Sequence, residues 1–147
     1  MITRAALVRS FSDFPAVLAV SARAAVGRAR PPGEWGANEV VRHLIAVERV
    51  VWLARLTSIR DENEPRWAWT EPGPEPGLGD TPLDDLLVRF ADARAPTVGL
   101  LEGFDEPTWS RTGVHETHGR LDVAALLRIA VDHDEEHLRA FVPAVTT

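Results

Sequence analysis

His133 and His137 stand four residues apart in "AVDHDEEHLRAF", residues 130 to 141. Read as a helix, this segment puts Leu126, Ala130, His133, His137 and Phe141 on one apolar stripe, with Arg128, Asp134 and Glu135 off it. Two imidazoles therefore occupy positions where leucine would pack better. At i and i+4 the Cβ atoms lie about 6 Å apart, so both rings can reach one ion at nitrogen–metal distances of about 2.0–2.1 Å. Two ligands hold an ion weakly, and "NEVVRHLIAVERVVW" offers a third in His43, beside Val40, Leu44 and Val47 at the edge of another apolar face. Three histidines with an open fourth position fit a working metal, whereas a closed four-ligand shell fits a structural one. The alternative for each histidine is a core imidazole hydrogen-bonded to a neighbour, and spacing alone leaves both readings open. The pair in "HETH", 115 to 118, has no helical pattern around it and reads as solvated loop histidines.

Composition removes most other chemistries. The 147 residues include no cysteine and no tyrosine, and all sixteen basic residues are arginine. Disulfides, thiolate ligands, cysteine nucleophiles and Schiff-base lysines are thereby excluded. A net charge of −6 argues against nucleic acid as a partner, because a phosphate backbone would be repelled. With 45% apolar and 26% charged residues the chain has the balance of a soluble globular protein, and its length is that of one domain over 1–147. No window is expected to reach transmembrane length and "MITRAALVRSFSDF" does not read as a signal sequence, so the expectation is a cytoplasmic protein without membrane association.

Four stretches carry the helical period that must position the histidines. The first covers about 3 to 28, where Pro15 is expected to bend or restart the helix. The second covers about 37 to 58, with Gly36 and Glu39 at its start. The third opens at "TPLDD", with Thr81 as cap and Pro82 in the first turn, and ends near Gly103. The fourth covers about 122 to 141. Residues 60 to 80, with four prolines and three glycines, read as a long loop. Nothing alternates with period two for long enough to make a strand. The expected fold is all-α, a four-helix bundle.

Two of these stretches resemble the DinB-like superfamily. "GEWGANEVVRHLIAVE" is similar to its second-helix signature, and "GRLDVAALLRIAVDHDEEHLRAF" to its last helix with two histidines four apart. The resemblance implies an up-down-down-up order with a long crossover between the second and third helices. Matched residue by residue, it also implies a metal triad of His43, His133 and His137. Members of the superfamily include bacillithiol or mycothiol S-transferases, mycothiol-dependent isomerases and metal-dependent hydrolases. The short C-terminus here departs from the isomerases.

These readings combine into a metal-dependent transferase joining a low-molecular-weight thiol to an electrophilic small molecule. The divalent ion, zinc or nickel before others, would lower the pKa of a bound thiol or water. Without cysteine the sulfur must come from a cosubstrate. Trp35, before the second helix, and Trp67, in the crossover, are candidates to wall the pocket, as are Trp69 and Trp109; each is equally suited to capping the core. A hydrolase using the same triad and a non-catalytic stress-related scaffold are the alternatives. A homodimer is expected, since family members often pair.

Overall fold

Pro15 lies inside the first helix without breaking it. The computed structural model describes residues 2–141, and α1 runs uninterrupted over Arg4–Ala25, capped by the Thr3 hydroxyl, which accepts from the Ala6 amide. Proline lacks the amide hydrogen that the carbonyl four residues earlier would receive. That carbonyl, on Phe11, instead accepts from Arg94 Nη1 at 2.8 Å. The expected restart is therefore replaced by a hydrogen bond between helices.

The second rod is longer than its period indicated. It comprises α2 (Ala37–Val47), a π-helical segment (Glu48–Leu53) and α3 (Ala54–Asp61). A π segment takes up one residue more per turn and often marks a functional site. Here it carries Trp52 and separates His43 from Arg55. The third rod, α4, spans Leu83–Glu102; Pro82 rather than Thr81 takes the cap position, its carbonyl accepting from Leu86 at 3.0 Å. A short α5 (Glu106–Trp109) leads to the last rod, α6 (Val123–Arg139), whose amide at Ala125 is capped by Asp122.

The all-α expectation needs one correction. Strands β1 (Arg66–Trp67), β2 (Thr112–His115) and β3 (Gly119–Asp122) form a small sheet, β1 parallel to β2 and β2 antiparallel to β3. These runs are too short for period-two alternation to stand out in the sequence. They hold one end of the crossover against the loop before α6, through Val114 N–H to the Pro65 carbonyl and Glu116 N–H to the Trp67 carbonyl.

The apolar faces meet in two clusters. One gathers Leu7, Phe11, Val51, Trp52, Leu56, Trp109 and Leu126, the other Phe14, Leu18, Val40, Leu44, Phe90 and Phe141. At their seam lies Arg94, 2% exposed, its Cζ 3.6 Å from the Phe11 ring centroid and 5.1 Å from that of Phe90. Residues Arg4–Ala24 reach the length and mean hydropathy (1.3) of a membrane span, contrary to expectation. In the fold this helix buries Leu7, Phe11, Phe14, Leu18 and Ala22 against other elements.

Candidate metal centre

α2 carries His43, fully buried, and α6 carries His133 and His137, both half-buried. One ring nitrogen from each lies within 4.8 Å of the others. The pair expected from i, i+4 spacing has ring centroids 4.5 Å apart, and His43 sits 4.7 Å from His137 and 5.6 Å from His133.

The hydrogen-bond partners fix the chemistry of these nitrogens. His43 Nδ1 lies 2.6 Å from the Pro72 carbonyl oxygen. A carbonyl only accepts, so Nδ1 carries the hydrogen and Nε2 of the neutral ring keeps its lone pair. That lone pair faces His137 Nε2 at 3.2 Å. Two nitrogens bound to one tetrahedral ion at 2.0–2.1 Å stand about 3.3 Å apart. The same distance also suits a hydrogen bond from His137 to His43, so the third ring is informative. His133 Nδ1 is buried with no hydrogen-bond partner among the described residues, which a buried polar atom seldom tolerates. A core imidazole hydrogen-bonded to a neighbour does not describe that atom. The donor set is thus compatible with a divalent ion, with the Pro72 carbonyl orienting one ligand from behind, as outer partners of metal-binding histidines do.

All three rings are held neutral. Burial lowers the pKa of His43, against the raising effects of the Pro72 carbonyl and Glu71. Burial and then His43 lower that of His137. His133 is depressed to about 3 by burial first, then by His137, His43 and Arg94. Neutral imidazole is the form that ligates.

Behind the histidines lies a buried ion cluster. Asp134 follows His133 in sequence but points away from the triad, taking Arg94 Nη1 and Nη2 at 2.9 and 3.0 Å. Glu48, one π-helical turn beyond His43, takes Arg94 Nε at 3.0 Å. One guanidinium serves two buried carboxylates, and burial pushes Glu48 up to about 7 despite Arg94. Through the Phe11 carbonyl, Arg94 also ties α1 to the rods that carry the ligands.

Two cavities flank the triad. The first, of about 360 Å³, is lined by Arg30, Trp35, Val40 and His137, with the Trp35 ring 5.0 Å from His43. The second, of about 80 Å³, reaches His133 between Trp52, Arg55, Trp69 and Ile129. Trp67 lines neither of them. Its indole lies flat where a Cβ on Gly113 would fall, and donates to Ser58 Oγ at 2.9 Å. Trp109 is buried beside Phe104. Trp52, Arg55 and Pro72 were not singled out by sequence reasoning. Trp52 follows the apolar stripe like any core residue, and nothing marks a proline carbonyl in advance.

The "HETH" pair divides. His118 is exposed, but His115 is buried and its Nδ1 accepts from the amides of Thr117 and His118 at 3.0 and 3.2 Å. It organises the β2–β3 turn and takes no part in the triad, so the expectation of solvated loop histidines fails for His115.

The sequence profile of the DinB superfamily matches residues 6–141. The chain belongs to the DinB superfamily. Among solved structures it is similar to YfiT from Bacillus subtilis, described as a probable metal-dependent hydrolase with an unusual four-helix bundle topology. The TM-score is 0.73 over 96% of this chain and 86% of that one, at 15% identity. At that identity the likeness carries the four-helix-bundle fold alone. A comparison with curated protein sequences finds no match.

Proposed function

We propose that this DinB-superfamily chain is a metal-dependent hydrolase acting on a small molecule, with His43, His133 and His137 holding a divalent ion, zinc or nickel. The observation that carries the reading is the convergence of three neutral ring nitrogens within 4.8 Å, one of them oriented by the Pro72 carbonyl. A divalent ion on three neutral histidines keeps a position for water and lowers that water's pKa. The chain's own contribution is to keep the imidazoles unprotonated, aim them through Pro72 and the Arg94 cluster, and line the approach with tryptophan. The description of YfiT as a probable metal-dependent hydrolase favours water as the nucleophile.

Transfer of a low-molecular-weight thiol to an electrophile is the second reading. What favours it is the presence of two cavities, one beside His137 and one beside His133, room for a cosubstrate as well as a substrate. Metal analysis of untagged protein, followed by zinc and nickel titration, tests the shared premise. If no ion binds, only a non-catalytic scaffold remains. Turnover of activated esters and amides by the loaded protein, with and without added bacillithiol or mycothiol, separates the two enzymes: product formed without thiol supports the hydrolase, and strict thiol dependence the transferase.

The up-down-down-up order belongs to the same proposal. Its support is Arg23 of α1 pairing with Asp84 at the start of α4, Asn38 at the start of α2 bonding the Thr81 carbonyl before α4, and Arg28 beyond α1 bonding the Phe141 carbonyl beyond α6. Exposed Val17 and Val20 on α1 and Val88 on α4 support a homodimer. A purely monomeric sedimentation profile would remove that part.

A further inference from the structure

Arg55 is buried without a counter-ion among the described residues. Only 8% of the residue is exposed, and among the described residues its side chain makes one hydrogen bond, from Nη2 to the Ala68 carbonyl at 3.1 Å. No ion pair among the described residues includes it. The other buried arginine, Arg94, has two carboxylates. A charge taken from water with a single neutral partner is costly, and a guanidinium has further N–H groups to offer.

Those groups have a place to act. Arg55 shares the 80 Å³ cavity with His133, and the remaining wall includes Val47, Val51, Ile129, Trp69 and Glu71. The Trp52 indole stands between the two, its centroid 6.0 Å from Arg55 Cζ and 5.7 Å from the His133 ring. A ligand paired with Arg55 therefore lies next to the proposed metal centre. We propose that Arg55 receives the carboxylate of a small monoanionic substrate, whose apolar part rests on Val47, Val51 and Ile129.

The planar guanidinium matches a carboxylate in two parallel hydrogen bonds. Glu71 in the same wall makes a second negative charge unfavourable, so a carboxylate is preferred to a phosphate dianion. Placing the substrate here rests on the metal-centre reading; the anion site itself does not need the ion. If Arg55 only props the crossover through Ala68 and packs on Trp52 and Trp67, carboxylates have no reason to bind.

The full-length chain, both zinc-loaded and stripped of metal, is titrated with sodium benzoate, neutral benzamide and inorganic phosphate while the indole N–H resonances are followed by NMR. Benzoate is expected to shift the Trp52 and Trp69 signals saturably, benzamide not at all, and phosphate only at higher concentration. Arg55→Met keeps the apolar stem and is expected to weaken benzoate at least tenfold, about 1.4 kcal/mol, with zinc affinity within about twofold of wild type. Arg55→Lys, which keeps the charge but not the fork, weakens it less, and serves as the test if the methionine variant does not fold. Equal benzoate binding by wild type and the folded variant overturns the proposal, as does the absence of any saturable shift in wild type. Benzoate binding without zinc binding would remove the metal reading and leave the anion site standing; zinc binding without benzoate binding would do the reverse.

Discussion

His43 gives its Nδ1 hydrogen to the carbonyl of Pro72, 2.6 Å away and 29 residues on. The bond makes the crossover part of the site. It selects the tautomer whose Nε2 points at His137, and its position depends on how the crossover is held. Arg42, one residue before His43, holds it: Nε and Nη2 donate to the Glu75 carbonyl at 3.2 and 3.0 Å, and the Glu75 amide returns a bond to the Arg42 carbonyl. Arg49 pairs with the Glu75 carboxylate at 3.0 Å. A segment rich in proline and glycine is thus clamped over α2.

Arg42→Met should therefore weaken metal binding without touching a ligand. Loss of an outer partner costs about tenfold or more in affinity where it fixes a ligand directly; acting through Glu75 and Pro72, Arg42 is expected to cost about threefold to tenfold. Competitive zinc titration measures it. Amide exchange at Glu75 should accelerate in the same variant. Unchanged affinity alongside faster exchange would show that the Pro72 carbonyl does not depend on this clamp.

His137→Ala leaves two ligands and should cut zinc affinity at least tenfold. Without metal, the cost should be limited to a small cavity of about 1 kcal/mol, since Leu126, Ala130 and Phe141 still bury their stripe. Thermal unfolding of wild type and variant, each with chelator and with zinc, gives the comparison. A stability loss of equal size in both conditions rules out ligation by His137. The same pair of melts on His43→Ala decides whether α2 contributes to the site.

Solvent-exposed imidazoles would surrender an ion between about pH 7 and 5, around their ordinary pKa of about 6.5. Burial lowers all three here, His133 to about 3. Proton competition in the folded protein is thereby moved to lower pH, and zinc affinity should change less than about threefold between pH 7 and 6. Calorimetric titration across that range checks it. A full tenfold loss per pH unit would mean the rings are wetter than their burial indicates.

Much of this site was legible, because helical period is a strong signal. His133 and His137 fall on the stripe with Leu126 and Ala130, and His43 lies beside Val40 and Leu44 on the buried face of α2. The rods came out near their expected limits for the same reason. What stayed hidden depends on contacts far apart in sequence. Trp67 shares the crossover with Trp69, yet pairing of β1 with β2 turns Trp67 onto Gly113 and leaves Trp69 at the cavity. The π segment shifts the facing of everything after Val47, so Arg55 enters a cavity. Pro15 shows a proline tolerated mid-helix because Arg94, 79 residues on, satisfies the carbonyl it frees.

Glu48 and the histidines should give the metal-free protein opposing pH responses. Glu48 is raised from about 4.5 to about 7 in the fold. The folded state therefore binds the extra proton, and this contribution to stability is lost as pH rises from 4.5 through 7. His133 is depressed from 6.5 to about 3. Between those values the unfolded state binds the extra proton, so this contribution is present above 6.5 and is lost as pH falls toward 3. Each group contributes at most about 1.4 kcal/mol per pH unit, and the two oppose one another between pH 4.5 and 6.5. Glu48→Gln removes the carboxyl's titration and keeps an acceptor for Arg94. Its stability should rise more steeply from pH 5 to 6.5 than that of wild type, by up to about 1 kcal/mol per unit. Arg94→Met, by contrast, leaves Glu48 and Asp134 buried without their shared cation and should cost about 3–5 kcal/mol at neutral pH. Urea unfolding of chelator-treated protein at pH 5, 6 and 7 reads both effects. Identical slopes for wild type and Glu48→Gln would mean that Glu48 is ionised throughout, with Arg94 compensating it in full.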